Sequence, residues 1–107
     1  LIVKNNICVM DEGSCFDFVG TNTTHDYNAS SDSTADGTNS VTSITSSIFE
    51  STTSGSEDLH LVSGASSIID AGTDLSGTFT DDIDGDTRSG TWDIGADESA
   101  GAPPQIF

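Results

Sequence analysis

The chain has 107 residues, with 2 basic side chains against 18 acidic ones and a net charge of -16 at pH 7. That length fits one domain. The charge excludes nucleic acid and anionic membranes as partners, because phosphates are bound by clustered Lys and Arg and only Lys4 and Arg88 exist here.

Low hydrophobicity beside high net charge is also the composition of disordered chains, but here the apolar residues come in short, spaced runs separated by Gly, Ser, Thr, Asn and Asp. That pattern predicts strands and turns. Residues 1–5 and 7–10 read as strands, and a chain that opens in mid-strand reads as the C-terminal piece of a longer protein, with no signal peptide in view. Cys8 and Cys15 flank a turn at residues 11–14. Their spacing permits a disulfide worth about 2 kcal/mol, and equally permits two unpaired small apolar residues. Residues 16–19 and 24–28 are further strands, the latter carrying His25, Asp26 and Tyr27. A polar loop follows at 30–39, then short strands at 41–44 and 48–49, a loop at 51–57 and a strand at 59–62. In that last strand His60 faces opposite to Leu59 and Leu61. Residues 68–70 form a brief strand that stops at Ala71 and Gly72, and Phe79, Trp92 and Ile94 anchor the acidic C-terminal stretch. No run carries the helical apolar spacing over more than about ten residues, and none is long enough to cross a membrane.

The apolar runs recur every 20 residues or so, the range of solenoid coils. The expected fold is therefore all-β, a short right-handed parallel β-helix of about four coils. Residues 1–107 make one such domain, and the loop at 73–100 is its acidic cap, since solenoids need capping. Asn5, Asn6, Asn22, Asn28 and Asn39 are candidates for amide ladders at the coil corners.

Chemistry concentrates between residues 81 and 98, where seven carboxylates fall within eighteen residues. Asp82, Asp84 and Asp86 alternate around Gly85, which permits a left-handed turn. Hard cations such as calcium gather about six to eight oxygens from loops of this kind. Asp81 and Asp93 are further candidate ligands, although the EF-hand consensus is not met. A metal-free alternative has Arg88 paired bidentately with Asp97 and Glu98, holding the loop as an ion cluster. His25 and His60 are the only imidazoles. Two solvent-facing histidines are the plain expectation; stacked together beside Asp26 or Asp58 they would form a metal ligand set or an acid/base pair. With 18 acids in the chain, a carboxylate pair suited to glycoside hydrolysis carries little information. No G-x-S-x-G nucleophile elbow occurs.

Several segments resemble the C-terminal end of secreted right-handed parallel β-helix proteins of bacteria and phage. They are Asn5-Asn6-Ile7, Asp26-Tyr27-Asn28, Asp58-Leu59-His60-Leu61, Ser67-Ile68-Ile69-Asp70-Ala71-Gly72, Asp82-Ile83-Asp84-Gly85-Asp86-Thr87-Arg88 and Trp92-Asp93-Ile94-Gly95-Ala96-Asp97-Glu98. The last forty residues carry the specific part. Two positions depart from that ending: the proline usual before A-I-D-A-G is absent from Ser66-Ser67-Ile68-Ile69, and Asp97 stands where a tyrosine is usual. The resemblance implies an extracellular, cell-surface or virion-surface setting. Members of the family include polysaccharide-cleaving enzymes, adhesins and tailspike parts, so fold does not dictate function.

The expected function is a non-catalytic cap and surface module that binds calcium and carbohydrate; Tyr27, Phe79 and Trp92 would offer a sugar-stacking surface, although core packing is the plainer expectation for Phe79 and Trp92. The alternative is a small metal-dependent hydrolase of glycosidic or phosphoester bonds, with His25 or His60 as ligand or base. An uncapped first coil is expected to drive self-association, because open β edges seek partners.

Overall fold

The structure is a computed structural model and describes residues 1–19, 21 and 23–99. Ile2 and Val3 are β-branched, and they open strand β1 (Ile2–Lys4). Asn5 follows in the left-handed region at φ 56°, which Asn tolerates better than most residues. The chain thereby turns a corner into β2 (Ile7–Cys8). Strands β3 (Thr24–Asp26) and β4 (Ala29–Ser30) repeat this outline, with Tyr27 at φ 56° as their corner. β1 pairs with β3 and β2 with β4, both parallel, with Ile2 on Thr24 and Ile7 on Ala29. An amide pair locks the two corners together. The buried Asn28 donates from Nδ2 to the Val3 carbonyl at 2.9 Å, and its Oδ1 accepts from the Asn6 backbone at 3.1 Å and side chain at 3.0 Å. Of the other candidate ladder residues, Asn22 lies outside the described residues, as does residue 100 at the end of the expected cap.

The expected four-coil β-helix is not what the chain forms. Among the described residues, parallel stacking is confined to that one pair of corners and a single parallel bridge from Ala29 to Val41. The next ladder, between β5 (Phe49–Ser51) and β6 (Asp58–Leu61), is antiparallel, with Phe49 on Leu61 and Ser51 on Asp58. The result, among the described residues, is three separate two-stranded sheets and no continuous solenoid sheet. The cause is visible in the residues. Where a third coil would place a strand, the chain has Ser46–Ile48, a 3₁₀ turn in which the Ser47 N–H donates to the Thr45 hydroxyl. The polar loop between β5 and β6 then lets those strands pair locally, at less entropic cost than a distant parallel partner. Residues 16–19 and 68–70, expected as strands, are irregular chain and turn. Residues 73–99 therefore have no solenoid among the described residues to cap.

The core gathers Ala29, Ile44, Ile48, Leu61, Ala65, Ile68 and Ile94, with Ile7, Val41 and Phe49 packed on its margin. Ile94 belongs to a C-terminal segment that crosses back over the N-terminal corner. The Ile94 N–H donates to the Ile68 carbonyl at 3.1 Å and that of Gly95 to the Asn5 carbonyl at 2.9 Å. The Asn5 side chain reaches Thr73 twice, donating to its carbonyl at 2.8 Å and accepting from its N–H at 2.9 Å. Gly72 lies against the same crossing, where a Cβ would stand 2.6 Å from the Asp93 carbonyl oxygen.

Cys8 and Cys15 are joined by a disulfide, with Cα atoms 5.5 Å apart. Asp32 fastens the loop that it closes. Its Oδ2 accepts from the Cys15 N–H at 2.9 Å and its Oδ1 from the Thr34 N–H at 3.0 Å. The Thr34 hydroxyl, then the N–H groups of Cys15 and Thr34, hold the Asp32 carboxyl well below the usual carboxylate range. No helix among the described residues is long and apolar enough to cross a membrane.

Candidate functional site

The acidic loop is built around Asp82. Its ends meet in an antiparallel bridge between Asp81 and Thr87. Inside, the Asp82 N–H donates to the Asp86 carbonyl and the Gly85 N–H to the Asp82 carbonyl, both at 3.0 Å. Gly85 takes φ +81°, which a side chain would oppose. The Asp82 carboxylate sits at the centre. Its Oδ1 accepts from the N–H groups of Asp84 at 2.9 Å and Asp86 at 3.1 Å, and its Oδ2 from that of Glu98 at 3.2 Å. Burial pushes this carboxyl up, but the three N–H donors and the charge of Arg88 outweigh it and hold it below its ordinary range. A carboxylate has about four lone-pair sites, so three accepted bonds leave Asp82 one direction for a cation.

Oxygens of Asp82, Asp84 and Asp86 lie within 4.8 Å of one another. Any two oxygens that share one calcium ion at about 2.4 Å lie no more than about 4.8 Å apart, and each pair in the triplet meets that requirement. These groups can therefore hold a metal ion. A second group, His60, Asp84 and Asp97, meets the same separation and shares Asp84. Both face an open polar cleft of about 790 Å³, whose wall also includes Glu50, Asp70 and Glu98.

Strand alternation in β6 puts His60 on this cleft and Leu59 on the opposite side. The His60 Nε2 lies 2.8 Å from Asp84 and its Nδ1 2.5 Å from Asp58. The hydrogen bond to Asp84, then that to Asp58, pushes the imidazole up to about 9. His60 is thus a cation at neutral pH, and a metal ion on Asp84 would compete with it. Asp58 is held below its ordinary range by the same contact. Asp97, expected beside Arg88, instead accepts from the Leu61 N–H at 2.7 Å and is buried.

Arg88 stands apart from the aspartate triplet. It is buried, donates from Nη1 to Glu98 at 3.0 Å and from Nη2 to the Gly95 carbonyl at 2.9 Å, and lies 4.8 Å from the centre of the Trp92 ring. Burial pushes the Glu98 carboxyl up, and Arg88 only partly offsets this. The two alternatives weighed for this region thus occupy different places: an ion pair of Arg88 with Glu98, and an aspartate triplet that Arg88 does not contact. Asp81 and Asp93 join neither metal-competent group. Asp81 is exposed and lends Arg88 its backbone carbonyl at 3.3 Å. Asp93 is buried and spends both oxygens on N–H groups, those of Asp70 and Ser99, each at 2.7 Å. Burial pushes its carboxyl up against those two bonds.

His25 and His60 are not brought together. His25 stacks on Phe18 with ring centres 4.1 Å apart and pairs with Asp36 at 2.9 Å. The pairing of Asp58 with His60, two residues apart, is local, whereas the role of Asp97 as partner of the Leu61 backbone carries no local sequence signal, since it spans 36 residues. No protein-family model, no curated protein and no solved structure matches the chain.

Proposed function

We propose that this chain is a non-catalytic, calcium-binding surface module that works outside the cell. The observation that carries this reading is the aspartate triplet: Asp82, Asp84 and Asp86 point oxygens to within 4.8 Å of one another, on a loop whose backbone is already ordered. An all-oxygen set suits calcium over softer metals. Three carboxylates leave coordination positions for water or for hydroxyls of a glycan. The Cys8–Cys15 disulfide supports an oxidising setting. The kinship of residues 82–98 with the closing segment of secreted β-helix proteins belongs to the same proposal and rests on that motif, without the solenoid.

The test is thermal unfolding of chelator-stripped protein with and without millimolar calcium, against sodium at matched ionic strength. A ligand at a hundredfold its Kd stabilises the native state by about 2.7 kcal/mol. Calcium should raise Tm well beyond sodium, and Asp84→Asn and Asp86→Asn should each remove the excess. Equal effects of calcium and sodium would reject a specific site.

The second reading, a metal-dependent hydrolase, is favoured only by the grouping of His60 with Asp84 and Asp97, a mixed nitrogen and oxygen set suited to zinc. It requires zinc-dependent cleavage of an aryl phosphoester or glycoside that His60→Gln abolishes. A zinc-loaded protein inert to both substrates removes it.

A further inference from the structure

On the other side of β6 lies a second, chemically different cleft of about 600 Å³. Its volume falls within the roughly 300–1,000 Å³ typical of small-ligand sites. Its floor is apolar, with Ile7, Leu61 and Ile94. At its mouth stand three large apolar side chains that remain in water: Leu59 at 49 % exposure, Phe79 at 40 % and Ile83 at 50 %. The other large apolar residues exposed among the described residues, Leu1, Ile2, Met10 and Val19, do not line it. Convergence of three such residues on one concavity marks a binding surface more than scattered exposure does.

The mouth is held in place before any ligand arrives. Leu59 is on β6, Phe79 packs on Trp92 with ring centres 5.4 Å apart, and the Ile83 N–H donates to the Ala96 carbonyl at 2.8 Å. A preformed cleft avoids the entropic cost of ordering on binding.

Charge decides what the cleft accepts. Asp81, Asp82 and Asp97 line it. So do Lys4 and Arg88, the only two basic residues of the chain, but each already faces a carboxylate: Lys4 that of Asp26 at 3.1 Å, and Arg88 that of Glu98 at 3.0 Å. The net sign at the mouth is therefore negative, within the field of a chain of charge -16. That field repels anions and also a second copy of the chain. It attracts a cation.

We infer that this cleft binds a small organic cation with an apolar body, an amphiphilic amine, its hydrocarbon against Leu59, Phe79 and Ile83 and its ammonium toward the exposed Asp81. The inference does not depend on the metal reading.

The test uses three probes of one shape, phenylbutylamine, phenylbutanol and phenylbutyrate, with chelator present so that the acidic loop takes no part as a metal site. Binding is read by backbone NMR shifts of Leu59, Phe79 and Ile83 and by Trp92 emission. The amine should saturate these signals and bind roughly tenfold more tightly than the alcohol, with the carboxylate weaker still. Added salt and Asp81→Asn should shrink the advantage of the amine over the alcohol. Leu59→Ser and Ile83→Ser, both at exposed positions, should weaken amine and alcohol alike. No saturable shift at these residues, or a carboxylate that binds as well as the amine, overturns the proposal. So does concentration-dependent self-association in sedimentation that Ile83→Ser abolishes, because the occupant would then be a second copy.

Discussion

Single side chains set how this molecule responds to pH and to crowding. His60 is pushed up to about 9 by Asp84 and Asp58, against an ordinary value of 6.5. A group whose folded pKa is raised contributes its stability in full below the unfolded value and loses it as pH rises through the folded one. Metal-free protein should therefore lose Tm between about pH 6.5 and pH 9. His60→Gln should flatten that slope, and an unchanged slope in a thermal-melt series would remove His60 as its source. Gly72 makes a steric prediction. A Cβ there would stand 2.6 Å from the Asp93 carbonyl oxygen, closer than real contacts allow. The backbone crossing must then shift, so Gly72→Ala should cost about 1–3 kcal/mol in denaturant unfolding, the scale of overpacking. Sequence alone displays Asp82, Asp84, Asp86 and Gly85, because they act within one loop. It does not display that Asp84 is shared with His60, 24 residues away, or that Asp97 binds the Leu61 backbone.

Elements depend on a few buried polar ties. Arg88 joins the acidic loop to the final segment through Glu98 and the Gly95 carbonyl. Arg88→Met keeps much of the volume but strands the largely buried Glu98 carboxylate. Breaking one partner of a buried pair costs about 3–5 kcal/mol, and partial solvent access at Glu98 places this case at the lower end. Loss of the Arg88 contact should also change Trp92 emission; equal stability of Arg88→Met and the parent chain would show that the pair does not hold the loop. Reducing the Cys8–Cys15 bond removes a short-loop constraint and should cost about 2 kcal/mol, measured as the difference between oxidised and reduced melts. The strands of the first corner are readable as short apolar runs around Asn5 and Asn6, but residues 24–28 read as one strand, because an aromatic residue at Tyr27 gives no turn signal. The solenoid expectation fails because a recurrence of apolar runs does not say which strand is the partner. Beyond Val41, the polar residues 46–47 and the hairpin-forming loop 52–57 redirect the pairing from parallel to antiparallel.

At the scale of the whole molecule, charge opposes compaction. With a net charge of -16, repulsion among carboxylates acts at every part of the surface. Screening falls within about 10 Å at 0.1 M salt, so sodium chloride alone should raise Tm from its low-salt value and then level off. A flat response would mean that local ties such as those of Asp82 and Asp32 already absorb the repulsion. Among the described residues the three small sheets share no ladder, and what unites them is the core around Ile68 and Ile94 together with the crossing at Asn5. Asn5 bonds to Thr73 and to Gly95, partners 68 and 90 positions along the chain. Contacts of such sequence separation must wait for a large loop to close, and they slow folding. On a ribosome, the corner at Asn5 would emerge long before the residues that fasten it, and its amide would stay hydrated until Thr73 had been made. Assembly order thus runs opposite to synthesis order at this point: the corner at Asn5 is made before the residues that secure it, 68 and 90 positions further on.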